Sequence, residues 1–386
     1  MATKKSSSSP KPKTGVLLYA DTDRSADALY FGQVSVPDAF IAFSDGKKRC
    51  AIVSALEFNR VRHHSAFDEV LSLETELKRA PKGKSSLDRL AAIVRNQAKE
   101  RGITTFRVAA DFPAGLAFAL RSARVGLEIA DGLLFPEREF KTDEEAAHIR
   151  RANEAAAAGF RAVMKTLREA KIGPGGKLLL GKNALTSEKL HEIISIACLE
   201  KGAIAGQPIA AGGDQACDPH HRGSGPLRAN ELIIVDIFPR DRATGYHGDM
   251  TRTFLKGRAS EAQRALVATV FEAQQAALRA HKARTSGMKI YKDVVALFKK
   301  HGYETKTENG LSTGFFHGLG HGLGLEVHEP PRVNAKGSGL RAGQVITVEP
   351  GLYYTGLGGC RIEDVVRVTN DSPEMLSTYP YKWEIR

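Results

Sequence analysis

The sequence is poor in cysteine and has no apolar run long enough to cross a membrane. Its four cysteines, Cys50, Cys198, Cys217 and Cys360, are far apart and form no CxxC pair. This spacing is typical of reduced thiols and excludes a dense disulfide framework. The longest apolar segments, such as ELIIVDIF, have the length of a β-strand, whereas a membrane helix needs about 20 apolar residues. We therefore expect a cytoplasmic chain that does not act in a membrane.

An apolar segment is also missing from the amino-terminal stretch MATKKSSSSPKPKTG, so we expect no secretory signal peptide. The stretch is basic and rich in serine and proline, which predicts a disordered tail over residues 1–13. The net charge of the chain is +12, but acidic residues are interleaved with the basic ones along most of its length. Because nucleic-acid binding uses basic residues concentrated on one surface, we expect no nucleic-acid partner.

Residues 14–135 alternate strand and helix patterns, which predicts a small α/β domain. Two apolar runs flank Asp45-Gly46, a dipeptide typical of a tight β-hairpin turn. The amphipathic segment SSLDRLAAIVRNQAKERG is expected to form a helix that ends at Gly102. Further strand patterns precede and follow this helix, so strands and helices alternate across the whole region.

A domain boundary is predicted near GLLFPEREFKTDEE. Pro136 interrupts regular structure, and Thr142 with Glu145 matches a capping box at the start of a long helix. Helix and strand patterns are mixed after this point, with no short-period repeat. A length of 386 residues favours two or three domains, and we assign residues 136–386 to the second one.

Three histidines lie among glycines in FHGLGHGLGLEVHEPP, at residues 316–331. His317 and His321 have the spacing of neighbours on one helix face, but each intervening glycine costs about 0.8–1.0 kcal/mol in a helix. The HExxH motif of helical zinc peptidases is also absent. A strand or bend is favoured, in which glycine permits close backbone approach and His328 lies on the other face or past a bend. The stretch alone is equally compatible with a glycine-rich surface loop.

Two acidic residues interrupt apolar strand patterns in ELIIVDIFPRDRATGYHGDMTRTF. A hairpin centred near Arg242-Ala243 would set Asp236 opposite Asp249. Directly opposed cross-strand side chains have Cβ atoms about 4.5–5.5 Å apart, and like charges at that distance are destabilising. This pair therefore needs a compensating cation if the strands are buried.

A second acidic pair occurs in VITVEPGLYYTGLGGCRIEDVVRVT, where Glu349 and Glu363 flank a turn centred near Gly356. Buried charges are paired or coordinate metals. Arg361 offers compensation for one pair, whereas a metal accounts for both pairs and for a histidine of the glycine-rich stretch. Four carboxylates and an imidazole suit a divalent cation such as Mn²⁺, and bridging carboxylates favour two cations. The alternative is a set of solvated strand acids.

The segments HGLGHGLGLEVHEPP, VEPGLYY, GGCRIEDVV and GYHGDMTRTF together resemble the pita-bread metallopeptidases of family M24. This family includes methionine aminopeptidases, Xaa-Pro aminopeptidases and Xaa-Pro dipeptidases (prolidases). The resemblance covers the chain from about residue 140 to its end. It implies an α/β plus α+β architecture, in which a creatinase-type α/β domain (residues 14–135) precedes a catalytic domain (residues 136–386). In that second domain, helices flank a curved antiparallel sheet.

The resemblance also implies an activity. A dinuclear-metal peptidase of this kind hydrolyses the bond between an N-terminal residue and proline by attack of a metal-bridging hydroxide. The expected cofactors are two divalent cations, most simply Mn²⁺, with Co²⁺, Zn²⁺ or Fe²⁺ as alternatives. The expected partners are a proline-containing peptide and a second copy of the chain in a homodimer. A non-catalytic peptide- or protein-binding relative and a metal-free creatinase-like amidinohydrolase are the alternatives, and both predict a disrupted ligand set.

Functional residues carry over from the family position by position. The implied metal ligands are Asp236, Asp249, His321, Glu349 and Glu363, with Glu349 also acting as general base and then acid. The segment between the first two ligands is about two residues longer than the family pattern. The implied oxyanion-stabilising residues are His220 and His328, with His221 as the competing choice for the first.

The Xaa-Pro branch is favoured by three further matches, because His317, Tyr353 and Arg361 correspond to residues that shape the proline pocket. Where prolidases place an arginine for the dipeptide carboxylate, the resemblance gives Lys336. Arg332 and Arg341 lie near it in the sequence. Lysine keeps the charge but lacks the bidentate fork of arginine, so the choice between dipeptidase and aminopeptidase stays open at this point.

Overall fold

The computed structural model describes residues 13–81 and 85–386, which form two compact units that meet in the sequence between Arg138 and Glu139. The predicted tail falls almost entirely outside the described residues, and Lys13 already belongs to the first strand. All four cysteines are free. No helix among the described residues is long and apolar enough to cross a membrane.

The first unit is an α/β sandwich built on one six-stranded sheet. Its strands are β1 (Lys13–Ala20), β2 (Phe40–Ser44), β3 (Arg49–Val53), β4 (Glu69–Ser72), β5 (Ile103–Val108) and β6 (Gly126–Ile129), and its helices are α1 (Ala26–Gly32), α2 (Ala55–His64), α3 (Leu73–Arg79), α4 (Ser86–Arg101) and α5 (Ala114–Ser122). The strand order is β4-β3-β2-β1-β5-β6, with antiparallel pairing of β2 to both β1 and β3 and parallel pairing elsewhere.

Alternate residues of this sheet bury opposite faces. Leu17 and Ile41 pack with helices α4 and α5, whereas Leu18 and Phe40 pack with α1 and α2. The predicted hairpin is confirmed, since β2 and β3 pair up to the turn that contains Asp45-Gly46. The predicted helix stop is confirmed too, because Gly102 caps α4 in the left-handed conformation with φ of 67°. This unit is the expected α/β domain.

The second unit combines several sheets, whose strands pair antiparallel except at one edge, with four long helices. Its helices are α6 (Asp143–Glu169), α7 (Ser187–Glu200), α8 (Glu261–Ala280) and α9 (Gly287–Lys300), and its strands are β7 (Lys171–Ile172), β8 (Leu178–Leu180), β9 (Asn183–Ala184), β10 (Ala203–Ile204), β11 (Ile209–Gly212), β12 (Ile233–Ile237), β13 (Arg240–Asp241), β14 (Met250–Lys256), β15 (Lys306–Glu308), β16 (Leu311–Thr313), β17 (Gly320–Gly322), β18 (Glu329–Val333), β19 (Val345–Val348), β20 (Gly351–Tyr354), β21 (Gly358–Arg361), β22 (Asp364–Arg367), β23 (Glu374–Met375) and β24 (Glu384–Ile385). The predicted capping box of Thr142 and Glu145 is present at the start of α6.

Two sheet-and-helix halves make up this unit. In one half, a four-stranded sheet of order β11-β12-β14-β24 shares an apolar core with α6 and α7, to which Phe160 and Val235 contribute. In the other half, a five-stranded sheet of order β18-β17-β19-β22-β23 packs against α8 and α9 through residues such as Val270 and Ile346. The strands that carry the predicted acidic residues come from both sheets, so the fold brings these acids together.

Candidate metal centre

The first acidic pair lies on β12 and immediately before β14, but its predicted register is wrong by two residues. Asp236 is paired with Thr251 rather than with Asp249. The two carboxylates are therefore diagonal neighbours on one face of the hairpin, since a shift of two residues keeps a side chain on the same face. Both aspartates are buried, with exposed fractions of 8% and 4%.

The second acidic pair has the predicted register. Val348 is paired with Asp364, and Gly351 is paired with Arg361 in the same register, so Glu349 lies opposite Glu363 between these two pairs. Glu363 is buried, whereas Glu349 is partly exposed. The four carboxylates thus come from two hairpins that belong to different sheets.

His321 lies in β17 and completes the cluster. Its Nε2 atom is 3.7 Å from a carboxylate oxygen of Asp249 and 3.5 Å from one of Glu349. Its Nδ1 atom is 3.1 Å from the carbonyl oxygen of Gly322. Because a carbonyl can only accept, Nδ1 carries the proton and the Nε2 lone pair faces the carboxylates, as in metal-binding histidines. Burial lowers the pKa of His321 to about 3, which keeps the ring neutral.

The protonation behaviour of the acids shows how much negative charge is concentrated here. Ligand atoms of Asp249, His321 and Glu363 all lie within 4.8 Å of one another. Burial, and then the neighbouring carboxylates, raise the pKa of Asp249 and of Glu363 well above their usual range. Burial also raises the pKa of Glu349 to about 7. Clustered carboxylates with this behaviour favour a bound cation, because buried charges need a partner.

Protein cations supply only part of that compensation. Arg361 donates from Nη2 to one oxygen of Asp236 over 2.7 Å. Among the described residues, no other lysine or arginine lies within ion-pair distance of the four carboxylates. The second oxygen of Asp236 is buried and has no hydrogen-bond partner among the described residues. Four carboxylates, one imidazole lone pair and an orphaned oxygen fit divalent cations with a preference for oxygen ligands.

The cluster forms the wall of a cavity of about 980 Å³. Its lining contains nine of the ten residues that the resemblance assigned to the metal, to catalysis and to the proline pocket: His220, Asp236, Asp249, His317, His321, His328, Glu349, Arg361 and Glu363. The histidine-rich stretch is therefore not a surface loop, because it contributes both a strand of the sheet and part of the cavity wall. His220 lies in this lining, whereas the competing His221 does not and instead accepts a hydrogen bond from the Gly223 amide over 2.9 Å.

Tyr353 is the exception, since it lies behind the cavity wall with an exposed fraction of 1%. Its hydroxyl is 2.9 Å from Nε2 of His317 and accepts a hydrogen bond from Nη1 of Arg361 over 3.0 Å. Burial raises the pKa of Tyr353 to about 12. A chain of hydrogen bonds thus connects His317 through Tyr353 and Arg361 to Asp236, so the predicted proline-pocket residues and the acid cluster form one unit.

The basic residues that the sequence suggested as partners of a substrate carboxylate lie at different places relative to the cavity. Lys336 is exposed and is not part of the cavity lining, whereas Arg332 is. Arg341 is paired with Glu139 over 2.9 Å. Within the part of the chain that the structure describes, Arg332 forms no ion pair, so its charge remains available at the cavity.

Comparison with known proteins agrees with this geometry. The model of metallopeptidase family M24 matches residues 147–370, more than half of the chain. The chain belongs to metallopeptidase family M24. The expected family is therefore confirmed. The expectation that the protein is a metal-dependent hydrolase is confirmed with it. Membership in a metallopeptidase family and the acid cluster together indicate that this M24 protein uses divalent metal.

Relatives of this M24 protein have related names and a shared fold. An Xaa-Pro dipeptidase from Pyrococcus furiosus is 30% identical over 249 residues, which span 64% of this chain and 65% of that enzyme. The solved structure of a prolidase from Pyrococcus furiosus superposes with a TM-score of 0.77 at 25% identity and covers 95% of this chain and 96% of that one. The solved structure of an X-Pro aminopeptidase from Thermotoga maritima MSB8 superposes with a TM-score of 0.78 at 24% identity. The match covers 97% of this chain and 98% of that one. The expected fold class is confirmed.

Sequence reasoning missed the residues that hold the acids from behind. The Asp249 amide donates to the Asn153 side chain over 2.9 Å, and the Thr251 hydroxyl donates to Glu363 over 2.7 Å. Arg252 and Asp364 form an ion pair of 2.8 Å with exposed fractions of only 3% and 1%. A signal was present for Asp364, which directly follows a proposed ligand.

Proposed function

We propose that this M24 protein is an Xaa-Pro peptidase that releases the residue preceding proline, with two divalent cations as cofactors. The observation that supports this proposal most strongly is the cavity of about 980 Å³, whose wall contains the acid cluster. The hydrogen-bonded residues His317, Tyr353 and Arg361 lie next to this cluster. The related Xaa-Pro dipeptidase from Pyrococcus furiosus supports this substrate class. Carboxylate oxygens with one imidazole favour Mn²⁺ over softer cations.

The five proposed ligands are Asp236, Asp249, His321, Glu349 and Glu363. Divalent cations held by them supply Lewis acidity and lower the pKa of water toward neutrality. Glu349 is the proposed general base, because its side chain borders the cavity beside the other acids of the cluster. It accepts the proton of the attacking water and delivers it to the proline nitrogen as the peptide bond breaks.

The remaining cavity residues bind and orient the peptide. His220 and His328 donate hydrogen bonds to the scissile carbonyl oxygen as negative charge develops on it. His317 and Arg361, which border the cavity, shape the proline pocket. Tyr353 acts from behind by fixing the positions of both, because its hydroxyl contacts each of them.

Arg332 favours a dipeptide as the substrate. Arg332 lies in the wall of the same cavity, and the carboxylate of an Xaa-Pro dipeptide is a matching anion for bidentate recognition by a guanidinium. In a longer peptide this carboxylate is replaced by a neutral amide. We therefore propose a dipeptidase preference. The homodimer and the cytoplasmic location stay predictions from the sequence.

Three peptides test the proposal on protein that has been stripped of metal and reloaded with Mn²⁺. Ala-Pro, Ala-Pro-Ala and Met-Ala-Ser are compared for release of the first residue. Cleavage of Ala-Pro in preference to the other two is the expected result. Cleavage of Ala-Pro-Ala alone would keep the Xaa-Pro activity but remove the dipeptidase preference. If none of the three peptides is cleaved with Mn²⁺, Co²⁺ or Zn²⁺, the proposed peptidase activity is overturned and a peptide-binding role is favoured.

A further inference from the structure

The main chain of Glu363 is held by β14, the strand that follows Asp249. The Glu363 amide donates to the carbonyl oxygen of Thr251 over 3.0 Å. The hydroxyl of Thr251 donates to one carboxylate oxygen of Glu363 over 2.7 Å. Two proposed metal ligands from different hairpins are therefore connected through Thr251, which lies two residues after Asp249.

Arg252 also holds Thr251 and Glu363 together, and it is not part of the cavity lining. Its Nη1 atom donates to the carbonyl oxygen of Thr251 over 2.9 Å and to that of Glu363 over 2.6 Å. Its Nη2 atom donates to Asp364 over 2.8 Å and to the carbonyl oxygen of Tyr379 over 2.9 Å. One buried guanidinium thus spans four acceptors, two of which belong to the strands that present the acids.

Asp364 fixes the orientation of this guanidinium. Besides Arg252, it accepts hydrogen bonds from Gln274 over 2.7 Å, Ser377 over 2.8 Å and Tyr381 over 2.9 Å. Its exposed fraction is 1%. Because every donor of this set is aimed at one carboxylate, Asp364 has little freedom to rotate, and the fork of Arg252 is held in a single orientation.

The contacts argue for a mechanical role of Arg252 rather than an electrostatic one. It reaches the proposed ligand Glu363 through the carbonyl oxygen, whereas Arg361 is the cation that contacts an acid of the cluster directly. A change at Arg252 is thus expected to move the main chain that carries Glu363. Groups that orient metal ligands from behind typically contribute about 10–100-fold to metal affinity.

We propose that Arg252 is a positioning residue for Glu363, with Asp364 as the counter-ion that holds its guanidinium across the two ligand-bearing strands. The proposal rests on the ligand roles of Asp249 and Glu363 given under Proposed function. It predicts that metal affinity and metal geometry depend on the planar fork of Arg252 and not only on its charge.

Arg252→Lys is the test variant, because lysine keeps the charge but cannot span four acceptors with one ammonium nitrogen. Arg264→Lys is the matched control, since Arg264 also pairs with a carboxylate, that of Glu384, but is not bonded to a proposed ligand, to Arg252 or to Asp364. Metal-stripped wild type and variants are titrated with Co²⁺, and the visible absorption of the bound ion is recorded. We expect Arg252→Lys to bind Co²⁺ about 10–100-fold more weakly, with a changed absorption spectrum. Arg264→Lys is expected to match wild type in both measurements.

Wild-type affinity and spectrum in Arg252→Lys would overturn the positioning role, even if the variant melts at a lower temperature. Equal weakening in Arg264→Lys would overturn it too, because general destabilisation would then explain the loss. If Arg252→Lys does not fold, Asp364→Asn decides, since it removes the counter-ion charge and keeps one acceptor oxygen. Wild-type Co²⁺ affinity in that variant would contradict the proposal. Absence of Co²⁺ binding by wild type would instead refute the ligand set on which the proposal rests.

Discussion

Arg361 donates from Nη2 to a carboxylate oxygen of Asp236 over 2.7 Å, inside a cluster of four acids. The same guanidinium donates from Nη1 to the hydroxyl of Tyr353 over 3.0 Å. Its exposed fraction is 3%, so water contributes little to screening this pair. Arg361 therefore couples the acid cluster to the hydrogen bonds behind the proposed proline pocket.

We expect Arg361→Met to lower kcat/KM at least about 30-fold, because removing one partner of a buried, hydrogen-bonded charge pair costs roughly 2–5 kcal/mol. Steady-state hydrolysis of Ala-Pro by the Mn²⁺-loaded variant measures the loss. Tyr353→Phe is the control, since it removes the shared hydroxyl but leaves Arg361 paired with Asp236, and it is expected to lose less. Wild-type activity in Arg361→Met would show that this coupling has no catalytic role.

Arg332→Ala is expected to raise the KM for Ala-Pro about 10–100-fold with little change in kcat, because a hydrogen bond to a charged group is worth roughly 1.5–3 kcal/mol. Lys336→Ala is the matched control, since Lys336 is exposed and is not part of the cavity lining. It should leave KM unchanged. The reverse outcome, with the larger effect at Lys336, would restore the assignment that the sequence suggested.

The glycines of the histidine-rich stretch differ in how closely other main-chain atoms approach them. A Cβ atom at Gly320 would overlap the carbonyl oxygen of Thr347, whereas one at Gly318 would lie 3.5 Å from the nearest atom, the carbonyl oxygen of Val333. We expect Gly320→Ala to lower the free energy of unfolding by about 3 kcal/mol or more, because a main-chain oxygen cannot move aside as a side chain can.

Gly318→Ala is the control for that prediction and should be close to neutral. The chain contains a single tryptophan, Trp383, which packs against an apolar core of the second unit. Its fluorescence during urea unfolding therefore measures the unit in which both glycines lie. Equal stability of the two variants would mean that close approach does not explain the glycine at position 320.

His281 predicts a pH dependence of stability away from the metal centre. It is fully buried, its Nδ1 donates to the carbonyl oxygen of Ala277 over 2.7 Å, and its Nε2 has no partner. Burial lowers its pKa from 6.5 to about 4. Between these values the unfolded chain binds the additional proton, so the stabilisation is complete above pH 6.5 and is lost as the pH falls toward 4.

The expected loss attributable to His281 between pH 7 and pH 5 is about 2 kcal/mol. It is measured as the difference between wild type and His281→Asn, again by urea unfolding with Trp383 fluorescence. Asparagine can keep the hydrogen bond to Ala277 but does not titrate, and the difference cancels contributions from the other titratable groups. Identical pH dependence of the two proteins would contradict the account.

The acids of the site could be predicted from the sequence because each interrupts an apolar strand pattern. The register of the first acidic pair could not be predicted from the sequence. The turn between β12 and β14 is closed around Asp241, whose carboxylate accepts from the amides of Ala243 and Thr244 over 3.0 and 2.8 Å. These contacts set the register that pairs Asp236 with Thr251, and the strand pattern alone contains no information about them.

The residues behind the site were beyond sequence reasoning for a different reason. Arg252 contacts the carbonyl oxygen of Glu363, more than 100 positions away in the sequence. Such a contact depends on how two hairpins pack together. Likewise, the resemblance assigned Lys336 to this position, with Arg332 nearby, and only the path of the folded chain decides that Arg332 borders the cavity.

The most direct test of the central claim is the metal dependence of Ala-Pro hydrolysis, measured on stripped and Mn²⁺-reloaded protein alongside Asp249→Asn. We predict no hydrolysis by stripped wild type, full recovery on reloading, and none by the variant in either state, because Asp249 is one of the proposed ligands. Hydrolysis by stripped wild type at the reloaded rate would contradict the account, as would a fully active Asp249→Asn.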